Sequence, residues 1–105
     1  MIIHTLVFSF PDAMPQSDRD QFFREIGAVM VDEGHARKFE HRPHLPLPAD
    51  AHAPVFAATD VAQIAFADLD AVDAAFGLPA LHEFMGRWQS RFPYKVVWAN
   101  TEPAL

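Results

Sequence analysis

Leu78-Pro-Ala-Leu-His-Glu-Phe-Met-Gly-Arg-Trp88, running on through Arg91-Phe-Pro-Tyr-Lys-Val-Val-Trp98, is the stretch whose reading decides the fold. A proline sits well in a first helical turn, where its missing N–H would have had no partner. Beyond Pro79, the residues Leu81, Met85, Trp88 and Phe92 recur at helical spacing and predict one apolar stripe. Tyr94, Val96 and Trp98 then alternate with Lys95, Val97 and Ala99, the period of a strand. The change of period puts a helix-to-strand corner near Pro93.

The other end of the chain supplies that strand's partner. Met1-Ile-Ile-His-Thr-Leu-Val-Phe-Ser-Phe10 reads as a first strand, with Ile2, His4, Leu6, Phe8 and Phe10 on one face. Ile3, Thr5, Val7 and Ser9 form the other face, which is also largely apolar, so both faces need a cover. Helices can cover one. In a chain of 105 residues the simplest cover for the other is a second copy of the same sheet.

Between these ends the elements follow in order. Pro11-Asp-Ala-Met-Pro15 breaks the strand, and Ser17 is the expected N-cap of a helix with Asp18 and Asp20 in its first turn. Phe22, Phe23, Ile26, Val29 and Met30 make its buried stripe, up to about Glu33. Gly27 reads as a point of close packing against the sheet, and Gly34 as a left-handed stop. A polar strand at about His35–Arg42 suits a sheet edge, with Arg37, Phe39 and His41 on one face. Pro43–Pro54 carries four prolines and no period, a loop long enough to serve as a lid or to stay loose. Phe56, just beyond it, could cap a pocket. The third strand is expected at about Asp60–Ala67. Asp68 or Asp70 then caps a helix holding Leu69, Val72 and Phe76, which Gly77 separates from the Pro79 helix. The order β-α-β-β-α-β is the ferredoxin-like α+β arrangement, an antiparallel sheet with helices on one face.

Composition bounds the function. One domain spanning residues 1–105 is expected, burying roughly 65% of its unfolded surface. Half of the residues are hydrophobic and 21% charged, a globular balance. The formal net charge is −6, without a Lys/Arg cluster, which argues against nucleic acid as a partner. Having no cysteine, the chain has no disulfide and no thiolate chemistry. No basic, apolar leader is visible at Met1, and no apolar run is long enough to span a bilayer, so a cytoplasmic location without membrane contact is the expectation.

Met1-Ile2-x-His4-x-x-x-Phe8 resembles the opening of the stress-responsive A/B barrel (Dabb) family. Gly34 before the second strand, Asp60-Val-Ala-Gln-Ile-Ala-Phe-Ala-Asp68, and Leu78-Pro-Ala-Leu-His-Glu-Phe84 with Trp88 extend that resemblance over nearly the whole chain. It implies a homodimer in which two four-stranded sheets pack as a dimeric α/β barrel. It also implies a ligand site between sheet and helices, where a plant polyketide cyclase of the family holds its substrate. His4 matches the family's first-strand histidine. The family's His-Pro-Ala-His is here Leu78-Pro-Ala-Leu81, so the cyclase's base is absent. The base's tyrosine partner falls at about Ala75, also absent. His82 lies one place along, about 100° around the helix from Leu81.

The candidate chemistry is therefore small. His4 is either a general base facing a pocket or a core histidine satisfied by a neighbour. His82 is either a relocated base or a half-exposed helix residue. Phe8, Phe66, Phe84 and Trp88 could form an aromatic wall for an apolar ligand, or simply core. Val96 and Trp98 suit either a pocket or a dimer core. His41, His44 and His52 lack a third acidic ligand and read as solvated, so no metal is expected, and no cofactor either. Glycine-rich phosphate loops and the common hydrolase motifs are missing. The favoured expectation is a dimeric protein binding an apolar or aromatic small molecule between sheet and helices. The alternative is a cofactor-independent enzyme, polyketide cyclase-like or monooxygenase-like, with His4 as acid/base.

Overall fold

The computed structural model describes residues 1–104. They form β1 (Ile2–Ser9), α1 (Gln16–Ala28), β2 (Lys38–Pro43), β3 (Asp60–Phe66), α2 (Leu69–Phe76), α3 (Pro79–Arg91) and β4 (Lys95–Thr101). The four strands make one antiparallel sheet in the order β2-β3-β1-β4. This is the expected ferredoxin-like α+β arrangement, with β1 flanked on both sides and β2 and β4 at the edges.

The strand register sets everything that follows. Phe39, Ile64, His4 and Asn100 stand in one row across the sheet, and His41, Ala62, Leu6 and Trp98 in the next. Alternation turns the His4–Leu6–Phe8 face of β1 inward, and all three are buried. The helices cover that face. Phe22 and Phe23 of α1, with Leu81, Phe84 and Trp88 of α3, close the core over it. Phe8 and Trp88 both meet Phe22 edge to face, with centroids 5.4 and 5.7 Å away. Such pairs add about 0.5–1.5 kcal/mol each beyond the area they bury. At the rim, Arg87 binds Glu25 at 2.8 Å and Arg91 binds Asp18 at 3.1 Å, tying α3 to α1.

Several local expectations are corrected. The N-cap of α1 is Pro15 rather than Ser17, and its carbonyl accepts the N–H groups of both Asp18 and Arg19. Only Asp18 lies in the first turn. The helix widens into a π turn over Val29–Glu33. Gly34 is not left-handed: its φ is −83°, and His35 takes the positive φ of 57°. Gly34 is needed for space, because a Cβ there would sit 2.8 Å from the Met30 carbonyl oxygen. With His35 turning the chain and Ala36 N–H bonded back to Met30, β2 starts only at Lys38. In α3 the buried stripe is Leu81, Phe84 and Trp88, and Met85 is 39% exposed at its flank. Leu69 opens α2 facing solvent. The Pro43–Pro54 segment contains a 3-10 turn, Pro48–His52. It is pinned by the His44 ring donating to Asp50 at 2.8 Å and by the Leu47 N–H at 3.1 Å.

Gly27 meets its expectation: a Cβ there would lie 3.0 Å from the Phe39 ring, so α1 lies directly on β2. Asp68 caps α2 through its carboxylate, which accepts the Ala71 N–H at 2.8 Å. Among the described residues, no helix is long and apolar enough to cross a membrane.

Candidate functional site

The helices fill the two ends of the sheet unequally. Over β2 and β3, α1 packs down through Gly27. Over β1 and β4 the cover is α2 and α3, broken at Gly77, and two cavities remain beneath them. The first, of about 330 Å³, is lined by His4, Leu69, Val72, Asp73, Phe76, Trp98 and Asn100. The second, of about 140 Å³, is walled by apolar groups including Leu6, Phe8, Leu81 and Met85. Phe76 and Trp98 line both and stand between them.

His4 is the chemical centre of this region. It is 1% exposed, and the register sets it directly opposite Asn100 on β4. Its Nδ1 lies 2.7 Å from the Asn100 side-chain oxygen. An amide oxygen only accepts, so Nδ1 carries the proton and Nε2 is left as the bare acceptor of the neutral ring. That Nε2 is buried and has no hydrogen-bond partner. Burial pushes the His4 pKa below its ordinary 6.5, with the bond to Asn100 pulling weakly the other way. At neutral pH His4 is an uncharged base whose proton position is fixed by one neighbour. The Phe76 ring lies over it, with centroids 4.6 Å apart, and Trp98 is next at 6.3 Å.

The second cavity is nearly without polar groups. Gln89 on its wall spends its side chain on the Tyr94 backbone, accepting from the N–H at 3.2 Å and donating to the carbonyl at 3.0 Å. Burial pushes the Tyr94 hydroxyl above its usual pKa of 10.0, so it remains a protonated donor. Across both cavities the formal charge on the lining is that of Asp73, and neither lining contains lysine or arginine.

Of the residues singled out in the sequence, His4, Phe8, Val96 and Trp98 line these cavities. Phe66, Phe84 and Trp88 are buried in the core, with Trp88 Nε1–H reaching Glu25 at 3.4 Å. His82 is exposed on α3, its Nε2 2.9 Å from the Phe76 carbonyl oxygen. His41 stacks on Phe23 at 4.3 Å and His44 is held by Asp50, apart from one another's chemistry. Among the described residues, no group of three histidine or acidic side chains is placed to hold a metal ion. Asn100, Asp73 and Gln89 are lining residues that sequence reading passed over, and Phe76 was read there only as a residue of its helix. Extending the β4 alternation one step beyond Trp98 puts Asn100 on the inner face, and a polar residue on an apolar face is the available signal.

No family model matches the sequence, and no curated protein matches it. Solved structures share its fold throughout. A protein from Arabidopsis thaliana is 17% identical, with a TM-score of 0.81 over 100% of this chain and 97% of its own. A Dabb family protein with a ferredoxin-like fold from Mesorhizobium loti is 17% identical, with a TM-score of 0.74 over 98% and 96%. A hydroxynitrile lyase from Passiflora edulis is 19% identical, with a TM-score of 0.72 over 95% and 91%.

Proposed function

We propose that this chain is a Dabb-type homodimeric protein that binds an uncharged, mostly apolar small molecule in the cleft beneath α2 and α3, with His4 as its acid/base group. The observation that carries this reading is the state of His4: neutral, its Nδ1 proton committed to Asn100, its Nε2 unpaired beside the 330 Å³ cavity. A buried acceptor left unpaired costs about 1–3 kcal/mol, and a hydroxyl-bearing ligand would recover that cost by donating to Nε2. The apolar body of the ligand would fill the 140 Å³ chamber. Among the apolar or aromatic ligands expected from the sequence, acids are disfavoured, since a carboxylate would meet Asp73 and no cation. A substrate proton passing to Nε2 would leave an imidazolium held through Nδ1–H by the Asn100 oxygen, which is the arrangement a general base needs. The lyase among the structures of this fold favours that catalytic reading.

Dimerisation is supported by the opposite sheet face. Ile3, Thr5 and Val7 remain half-buried there, Val97 is 50% exposed, and among the described residues no helix or strand packs over them. Together they make an apolar strip of the kind that soluble monomers seldom leave bare.

A thermal-shift screen tests the ligand site, using paired phenols and benzoates on the wild type and on His4→Phe. A ligand at 100 times its Kd adds about 2.7 kcal/mol, or on the order of 10 °C in a domain of this size. The expected result is a shift with phenols that benzoates do not give and His4→Phe loses. A flat screen, or shifts that His4→Phe retains, would overturn the reading.

A further inference from the structure

We propose that Phe76 is the gate over His4 and that His82 is the latch holding it closed. This rests on the reading of the His4 cleft as a ligand site.

The geometry raises a difficulty for that cleft. His4 lines the larger cavity, yet its Nε2 is buried, so a ligand cannot reach the free acceptor without a side chain moving. Phe76 is the side chain placed to move. Its ring lies 4.6 Å from the imidazole, it is only half-buried, and it is a wall of both cavities. Swinging it aside would uncover Nε2 and join the 330 and 140 Å³ spaces into one.

What holds Phe76 follows from an account of the end of α2. The last carbonyls of a helix have no partner within it. Here Gly77 N–H serves Asp73 and Ala74, and Leu78 N–H serves Ala75. The Phe76 carbonyl is bound instead by a side chain from the next helix, the Nε2–H of His82 at 2.9 Å. That bond fixes the backbone of Phe76 across the Gly77 break, and with it the root of the ring. His82 is exposed, and in this scheme it acts on the ligand site through Phe76, as a positioning residue. Both the neutral ring protonated at Nε2 and the imidazolium carry the required donor.

The test needs no ligand, so its failure is distinct from failure of the binding reading. Carbethoxylation by diethyl pyrocarbonate attacks neutral imidazole nitrogen, and its rate at His4 can be followed peptide by peptide. His4 should react slowly in the wild type. Phe76→Ala, or Phe76→Leu if the alanine form folds poorly, should speed it. His82→Ala should speed it by about two- to tenfold, the opening expected from losing one hydrogen bond. His82→Gln, which keeps a donor of similar reach, should restore the slow rate. Glu83→Gly loosens the same helical turn but leaves the latch bond, and should stay slow. A His82→Ala rate equal to wild type would overturn the latch. So would a Glu83→Gly rate as fast as that of His82→Ala, which would reduce the effect to helix fraying. A Phe76→Ala or Phe76→Leu rate equal to wild type would overturn the gate.

Discussion

His4 should make the stability of this protein depend on pH in a window where its carboxylates do not. Buried as a neutral ring, it has a folded-state pKa below its ordinary 6.5, chiefly through burial. The unfolded chain therefore takes up the His4 proton first as the pH falls. Stability from this group is full above pH 6.5, drops as the pH falls from there through the folded-state pKa, and levels off beneath it. The slope within the window is at most about 1.4 kcal/mol per pH unit, which is on the order of 5–10 °C per unit for a domain of this length. The carboxylates act lower down. Glu40 is held below its ordinary value by the bond from Lys38, and Asp50 by the bond from His44. At Glu25 partial burial opposes ionisation, but bonds from Arg87, Gln21 and Trp88 prevail and its pKa is lowered. These groups weaken the fold only below about pH 4.5. Urea midpoints measured from pH 8 to pH 5 at fixed ionic strength, on the wild type and His4→Phe, isolate the term. The other histidines are common to both proteins and cancel in the difference. Wild type should lose stability relative to the variant as the pH falls below 6.5. Parallel curves would mean that His4 is solvated in the folded protein, and the account of a dry, neutral base would fail.

Two glycines should respond in opposite directions to alanine. Gly34→Ala forces a Cβ to 2.8 Å from the Met30 carbonyl oxygen and should cost about 1–3 kcal/mol. Gly86→Ala in α3 meets nothing within 4 Å and should gain up to about 1 kcal/mol, both read from urea midpoints. The two tryptophans should likewise separate. Trp88→Ala empties a fully buried site and should cost about 3–5 kcal/mol. Trp98, 60% exposed, should cost under about 1 kcal/mol on truncation while still weakening any ligand-induced shift. Sedimentation at micromolar protein should give the mass of two chains, and a stable single-chain mass would refute the dimer.

Much of the fold was legible because it rests on short-range periodicity. The alternation of β1, the Asp68 cap and the Gly77 break are each fixed by residues near one another in sequence. Gly34 was misread because a glycine kept for space and one kept for a positive φ look identical in a sequence. The α3 stripe shifted from Met85 to Phe84 because, with apolar residues at neighbouring positions, periodicity allows either face. The site was harder to see. His4 and Asn100 are 96 residues apart, and their contact exists only through the register of β1 against β4, which no local pattern encodes.

The position of the cleft follows from how the helices divide the sheet. α1 can lie flat on β2 because Gly27 presents no side chain to Phe39, and that end of the core closes. At the other end, α2 is eight residues long and stops at Gly77, and α3 starts afresh at Pro79. Around that break the helices leave space over the sheet, and β4 beneath them is an edge strand whose Trp98 projects past the core. The cleft runs from His4 to Tyr94, between the helices and the inner faces of β1 and β4. A histidine in the closed half would be a packing residue with its polar atoms paired. In the open half, with Nε2 unpaired and Phe76 as its cover, the same side chain is poised for a ligand.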